Sequence, residues 1–202
     1  MVTTDFTAPS SADVESERLR ALHRYAILDT APDAAFDRIA RVAARSLDKP
    51  MATITFVDEH RIWFKATYGV EGLTEIPREA GGLSSLAIGD SRTYVVRDTA
   101  TDPYVSRNPS VAGEFGIRFY AAAPVTTDDG HQLGTVSVLD SEPGDVTDDQ
   151  LATLEDLAAI VMKALELRLS ALTTVRAERE LRDTAQQYAS VLQRACCRRR
   201  CR

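Results

Sequence analysis

Trp63 and Lys65 stand two residues apart in the run IWFKATY, whose β-branched and aromatic content is that of a strand. A two-residue period puts both side chains on one face, where an indole plate and an ammonium could present together to an anionic or planar ligand. The competing use is packing, because a large aromatic usually buries itself and a neighbouring lysine pairs with an acid. Arg118, beside Phe119 and Tyr120, poses the same choice. It could hold a phosphate, but Asp98, Asp102 and Asp140 offer it carboxylates to brace, and Phe119 reads as core or as the floor of a pocket. Asp98 and Asp102 resemble an acid pair, yet turn formation and capping in DTATDP account for both without catalysis.

The remaining reactive residues do not converge. His23, His60 and His131 fall on a helix and two turns, a scatter that suits solvated surface better than a metal site. All three cysteines lie in the terminal ACCRRRCR, so the body of the chain has no thiolate nucleophile, no disulfide framework and no Cys-based metal site. Three thiols among four arginines make a poor cation site. With no nucleophile, metal set or poised acid–base pair, the chain is expected not to be an enzyme, and no cofactor is specified.

These residues need a scaffold, and 202 residues at 44% hydrophobic content suffice for one good core. A net charge of -6 argues against nucleic acid as a partner, since phosphate neutralisation needs a basic surface. No apolar run is long enough to span a bilayer, and MVTTDFTAPSSADVESE lacks signal-peptide features, so a cytoplasmic location away from membranes is expected.

Residues 1–12 are Ser/Thr/Pro-rich and expected to be disordered. Leu19, Leu22, Ala26 and Ile27 give a helical stripe, broken by DTAPD. A second helix over residues 34–47 aligns Phe36, Ile39, Ala40, Ala43, Ala44 and Leu47, and Pro50 stops it. Antiparallel strands follow at 51–57 and 62–68 across the turn DEHR. An irregular excursion over 69–116 contains one clear strand at 93–97 and helical pieces near 84–88 and 109–113; so long a loop region inside a compact domain is usually functional. A hairpin over 118–127 and 133–139 closes the sheet around TDDGH. Ala121, Ala122, Ala123 and Gly134 leave room for another element to approach its backbone. Thr147 is an N-cap with Gln150 at the capping-box position, opening a helix that runs by pattern to at least Leu172. Antiparallel strands with helices gathered on one side make an α+β sandwich.

ERLRALHRYAILDTAPDAAFDRIARVAA, PMATITFVDEHRIWFKATYG, VVRDTATDPYVSRNPSVAG and GIRFYAAAPVTTDDGHQLGTVSVLD occur in one order over roughly Glu17 to Arg168, and together they resemble the GAF domain of bacterial signalling proteins. The resemblance implies an antiparallel sheet of five or six strands, helices from the two chain ends on one face, and a small-molecule pocket on the other roofed by the excursion. It implies a sensory, non-catalytic role and the candidate pocket residues Phe56, Trp63, Lys65, Ser84, Leu86, Tyr104, Phe115 and Phe119. A ligand-free interaction scaffold is the alternative, and an enzyme acting in the pocket a more distant one. Where the family's Phe-Cys-Ala-His phrase would stand, this chain has Leu83-Ser84-Ser85-Leu86, which leaves neither the cysteine for a thioether-linked chromophore nor the histidine for iron. The sulfoxide-reducing members of the family need body cysteines, and the cyclic-nucleotide signature is not recognisable.

The organisation expected is a GAF domain over 13–168, a signalling helix or coiled coil over 169–194, and an aberrant basic Cys/Arg tail over 195–202. Leu151, Leu154, Ala158, Val161, Leu165, Leu172 and Val175 keep a 3,4 spacing interrupted by Arg168, and Leu181, Ala185, Tyr188 and Leu192 resume it after a phase break. Such a stripe predicts a homodimer through this helix. Of the 24 basic residues 21 are Arg, which suggests GC-rich codons. Read one base out of frame, TGC and CGC codons for the tail give Leu-Leu-Pro-Pro-Pro-Leu-Pro. After VLQR this resembles the entry into the PP2C-like (SpoIIE-type) serine/threonine phosphatase domains that follow some GAF domains, so a phosphatase output domain or partner-switching proteins are the expected partners.

Overall fold

The computed structural model describes residues 11–200 apart from residues 71, 81, 90, 91 and 114, and at residues 80 and 189–200 only the backbone. The N-terminal tail expected to be disordered lies outside the described residues up to residue 10, while Ser11 and Ala12 already belong to a helix. The chain divides into two compact units, one ending at Leu165 and one beginning at Glu166.

In the first unit α1 (Ser11–Arg24) buries Arg18, Ala21 and Leu22. It ends sooner than its stripe suggested: Ala26 takes a φ of 46°, and Ile27 is buried from the loop beyond. Asp33 then caps α2 (Ala34–Ser46), accepting from the Ala35 amide at 2.9 Å, and Phe36, Ala40, Ala43 and Ala44 are buried in line with the 3.6-residue period. β1 (Met51–Val57) pairs antiparallel with β2 (Arg61–Tyr68), which carries the short edge strand β3 (Glu75–Pro77). A 3-10 turn (Arg78–Ala80), α3 (Leu83–Ala87), β4 (Tyr94–Val96) and α4 (Pro109–Ala112) complete the excursion. β5 (Phe119–Thr126) and β6 (Gln132–Asp140) are the expected hairpin.

The sheet is six-stranded and antiparallel in the order β3-β2-β1-β6-β5-β4, so the N-terminal strand β1 sits in the middle beside β6. α1 and α2 pack on its central strands from one side, and α3 meets β1, β6 and β5 on the other. Gly134 explains how closely the central strands lie: a Cβ there would stand 1.9 Å from the Thr55 carbonyl oxygen. The space this glycine leaves is taken by the neighbouring strand rather than by a helix.

α5 (Asp148–Arg200) opens with the expected capping box, Thr147 Oγ1 accepting from the Gln150 amide and Gln150 Oε1 from the Thr147 amide. Up to Leu165 it buries Leu154, Leu157, Ala158, Val161, Met162 and Leu165. The second unit is the continuation of this helix, in which Leu167, Leu172, Val175, Leu181 and Tyr188 are 73%, 40%, 46%, 72% and 69% exposed. The backbone of the Cys/Arg tail is helical as far as Arg200, and its side chains lie outside the described residues. Among the described residues no helix is long and apolar enough to cross a membrane.

Candidate functional site

A cleft opens on the face of the sheet away from α1 and α2, and three layers of residues form it. Met51, Thr53, Ile62, Phe64, Tyr120 and Leu139 rise from the sheet as its floor. Gly82, Leu83 and Ser84, at the start of α3, make one wall, and Val70, Leu73, Ile76, Ser110 and Phe115 from the excursion, with Ile117 just beyond it, complete the cleft. The concave space is about 600 Å³ with its open mouth included, but the interior is only about 60 Å³, room for a few waters. At Gly82 the terminal methyls of Ile62 and Ile76 take the place of a side chain, a Cβ there lying 2.1 Å from Ile62 Cδ1.

Behind this floor lies a ladder of buried hydroxyls. Thr53 and Ser137 pair across β1 and β6 at 2.8 Å, as do Thr55 and Thr135 at 3.0 Å. Thr55 Oγ1 and Thr135 Oγ1 both lie within hydrogen-bonding distance of Ser84 Oγ, at 3.0 and 3.2 Å, and Ser84 lies 3.3 Å from the Tyr120 hydroxyl. Burial pushes the Tyr120 phenol above its ordinary pKa, against hydrogen bonds from Ser84, Ser137 and Thr135, so it stays neutral. The ladder joins β1, β5, β6 and α3 at one point.

Of the eight candidate pocket residues, Ser84 and Phe115 are in the lining, with Phe115 52% exposed at the mouth. Leu86 and Tyr104 are exposed and outside it. Phe56, Trp63, Lys65 and Phe119 require a correction, because all four face the helices. Trp63 and Lys65 do share a face, their ring and ammonium 5.7 Å apart, but Lys65 Nζ donates to Thr30 Oγ1 at 2.8 Å and to the Ala31 carbonyl at 2.7 Å, over the Phe36 ring of α2. Thr55 pairs with Phe64 and Ile54 with Ala66, so Lys65 is the extra residue of a β-bulge and is turned toward the helices. Phe56 stacks on Trp63 on that same side. Phe119 lies under the Lys49 ammonium at 4.4 Å, and its neighbour Tyr120 faces the cleft in its place.

Sequence reasoning missed Phe64, Tyr120 and the hydroxyl ladder. The signal was present as alternation of Thr53 and Thr55 with Ala52, Ile54 and Phe56, but both faces of this sheet are covered, so hydropathy does not say which face is which.

The charged residues are occupied elsewhere. Arg118 braces Asp98 through two hydrogen bonds of 2.9 and 2.8 Å and holds the Asp98 carboxyl below its ordinary range. Asp98 and Asp102 also accept amides of their own turns, at Ala100 and Tyr104. Arg78 ties the 3-10 turn to α1 through Glu15 at 2.5 Å. Among the described residues no group of three or more His, Cys, Asp or Glu could hold a metal ion.

A GAF domain family profile matches residues 31–165. A cyclic di-GMP phosphodiesterase of Pseudomonas aeruginosa is 34% identical over 155 residues, 76% of this chain. The chain spans only 26% of that relative's length. Among solved structures, the GAF domain of an Acinetobacter phosphoenolpyruvate-protein phosphotransferase superposes with a TM-score of 0.57 at 16% identity, covering 78% of this chain and 95% of that one. The free methionine-R-sulfoxide reductase of Neisseria meningitidis gives 0.56 at 20% identity, covering 85% and 99%. At these identities the likeness is one of fold.

Proposed function

The chain belongs to the GAF domain family, and from that we propose that it is a non-catalytic sensory module of bacterial signal transduction, in which a small molecule in the cleft biases α5. The observation that carries the proposal is the double use of β6. Its Thr135 and Ser137 join the hydroxyl ladder and Leu139 lines the cleft, while Val136 and Val138, between them, are fully buried. The same strand leads through Asp140 into the turn that caps α5, whose Gly144 amide donates to the Arg97 carbonyl. A ligand that moves Ser84 or Tyr120 therefore acts on the strand from which the output helix starts. The uncharged, thiol-free lining supports a binding rather than a chemical role.

The exposed 3,4 stripe of α5 is read as a homodimer seam, its occupant a second copy of the same helix, because a seven-residue repeat is matched by an identical parallel partner. Written in TGC and CGC codons, the Cys/Arg tail would read one base out of frame as Leu-Leu-Pro-Pro-Pro-Leu-Pro, and this supports a phosphatase-type output acting on partner-switching proteins. The P. aeruginosa relative favours a second reading, a module joined to cyclic di-GMP hydrolysis. The narrow interior favours a ligand-free scaffold as the rival to sensing. Thermal-shift screening with nucleotides, haem, flavins and anions separates these, since a ligand that binds only the native state raises the melting temperature. A flat response throughout would leave the scaffold reading standing. Reading the gene decides the phosphatase coupling: codons other than TGC and CGC in the tail would remove its support.

A further inference from the structure

The character of the cleft bears on what it binds, granted the reading of it as a ligand site. None of its fifteen lining residues among those described is charged. The polar side chains in the lining are the hydroxyls of Thr53, Ser84, Ser110 and Tyr120, and the rest of the surface is aliphatic or aromatic. Hydroxyls donate and accept by rotating, so they satisfy an amide, a carbonyl or an alcohol equally well. They cannot neutralise a charge, and an ion among them would lose its hydration without gaining a counter-charge.

Three cations that could have served an anion are held by other partners. Lys65 is on the opposite face with Thr30 and Ala31, Arg118 is paired with Asp98, and Arg78 with Glu15. The excursion that roofs the cleft, residues 69–116, carries seven acids against four arginines, a net charge of 4 − 7 = −3 that disfavours an approaching anion. A cation would find no carboxylate in the lining.

We infer that the cleft takes a small uncharged molecule, apolar over most of its surface, whose single hydrogen-bonding group meets the Ser84 and Tyr120 hydroxyls while its apolar part lies against Ile62, Phe64 and Ile117. The 60 Å³ interior limits the enclosed part to a few heavy atoms, with Phe115 at the mouth over the remainder.

Three probes with one branched chain and different ends test this on the full-length chain: isovaleramide (uncharged), isovalerate (anion) and isopentylamine (cation). The readout is the NMR signals of isoleucine δ-methyl groups. Ile62, Ile76 and Ile117 line the cleft, while Ile54 is fully buried outside the lining and Ile160 is exposed on α5. Isovaleramide is expected to move the three lining signals at concentrations at least tenfold below those either ion requires, leaving Ile54 and Ile160 in place. Ser84→Met, which fills the space, should abolish the response. Ser84→Ala, which keeps the space and removes the hydroxyl, should weaken it several-fold and decides the matter if the larger side chain prevents folding. An ion that matches or beats the amide at the same three methyls overturns the inference and leaves the sensory reading intact. An unchanged response in Ser84→Ala overturns the role of the hydroxyl. Silence of all three probes at the lining methyls overturns both.

Discussion

The ammonium of Lys65 donates to the carbonyl of Ala31 at 2.7 Å, fixing the loop before α2 to the middle of β2 on the side of the sheet away from the cleft. Lys65 is 6% exposed, and its charge is spent on the fold. Lys65→Met keeps the apolar stem and removes the donor, and a loss of about 1–2 kcal/mol is expected, near 3–6 °C in melting temperature. Binding in the cleft should be unaltered. A variant of unchanged stability that no longer binds a cleft ligand would return Lys65 to the site.

Gly134 is expected to tolerate no side chain. Its Cβ would lie 1.9 Å from the Thr55 carbonyl oxygen and 2.8 Å from Phe56 Cα, both backbone atoms of the adjacent central strand. Gly134→Ala must push β1 and β6 apart where they hold the hydroxyl ladder, at a cost of roughly 3 kcal/mol or more. Urea denaturation measures this; a change below about 1 kcal/mol would show that the strands part easily.

Gly134 and Lys65 show what was readable in the chain and what was not. The α2 stripe, the Thr147–Gln150 box, the hairpin and the order of elements follow from local periodicity and capping chemistry, and each is present. The pairing of Trp63 with Lys65 on one face was equally legible. Which face that is depends on the whole fold, and here β1, β5 and β6 are buried on both sides, so polarity could not tell Phe64 from Trp63 or Tyr120 from Phe119. The three-residue strand β3 escaped for another reason, since EIP ends in a proline and is too short to show a period.

Acid should loosen the attachment of α1. Hydrogen bonding from Arg18 holds the Glu15 carboxyl down to about 2, from an ordinary 4.5, with Arg78 adding to it against the opposing effect of burial. The folded state therefore binds fewer protons than the unfolded chain. The stabilisation is complete above about pH 5 and is lost as pH falls through 4.5 toward 2. Glu15→Gln should remove about 1 kcal/mol at neutral pH, allowing for the partial exposure of the pair, and should flatten the stability profile between pH 5 and pH 2. A variant whose profile parallels the parent's through that window would place the acid sensitivity elsewhere.

Assembly is expected to depend on α5. Light scattering should give the full chain twice its 22.1 kDa and a chain ending at Leu165 only its own monomer mass. Glu in place of both Leu172 and Val175, which are 40% and 46% exposed on the stripe, should return the full chain to a monomer without altering the first unit. Equal association states for the long and short chains would defeat the seam.

The ladder of Thr53, Ser137, Thr55, Thr135, Ser84 and Tyr120 consists entirely of groups that both give and receive a proton. Its polarity is therefore not written into the side chains: turning one O–H bond reverses the sense of its neighbours, and no heavy atom need move. Of the six oxygens those of Thr53, Ser84 and Tyr120 belong to the cleft lining, so an acceptor and a donor there are met by the same three hydroxyls in opposite proton orders. Discrimination between them falls to the shape of the aliphatic walls.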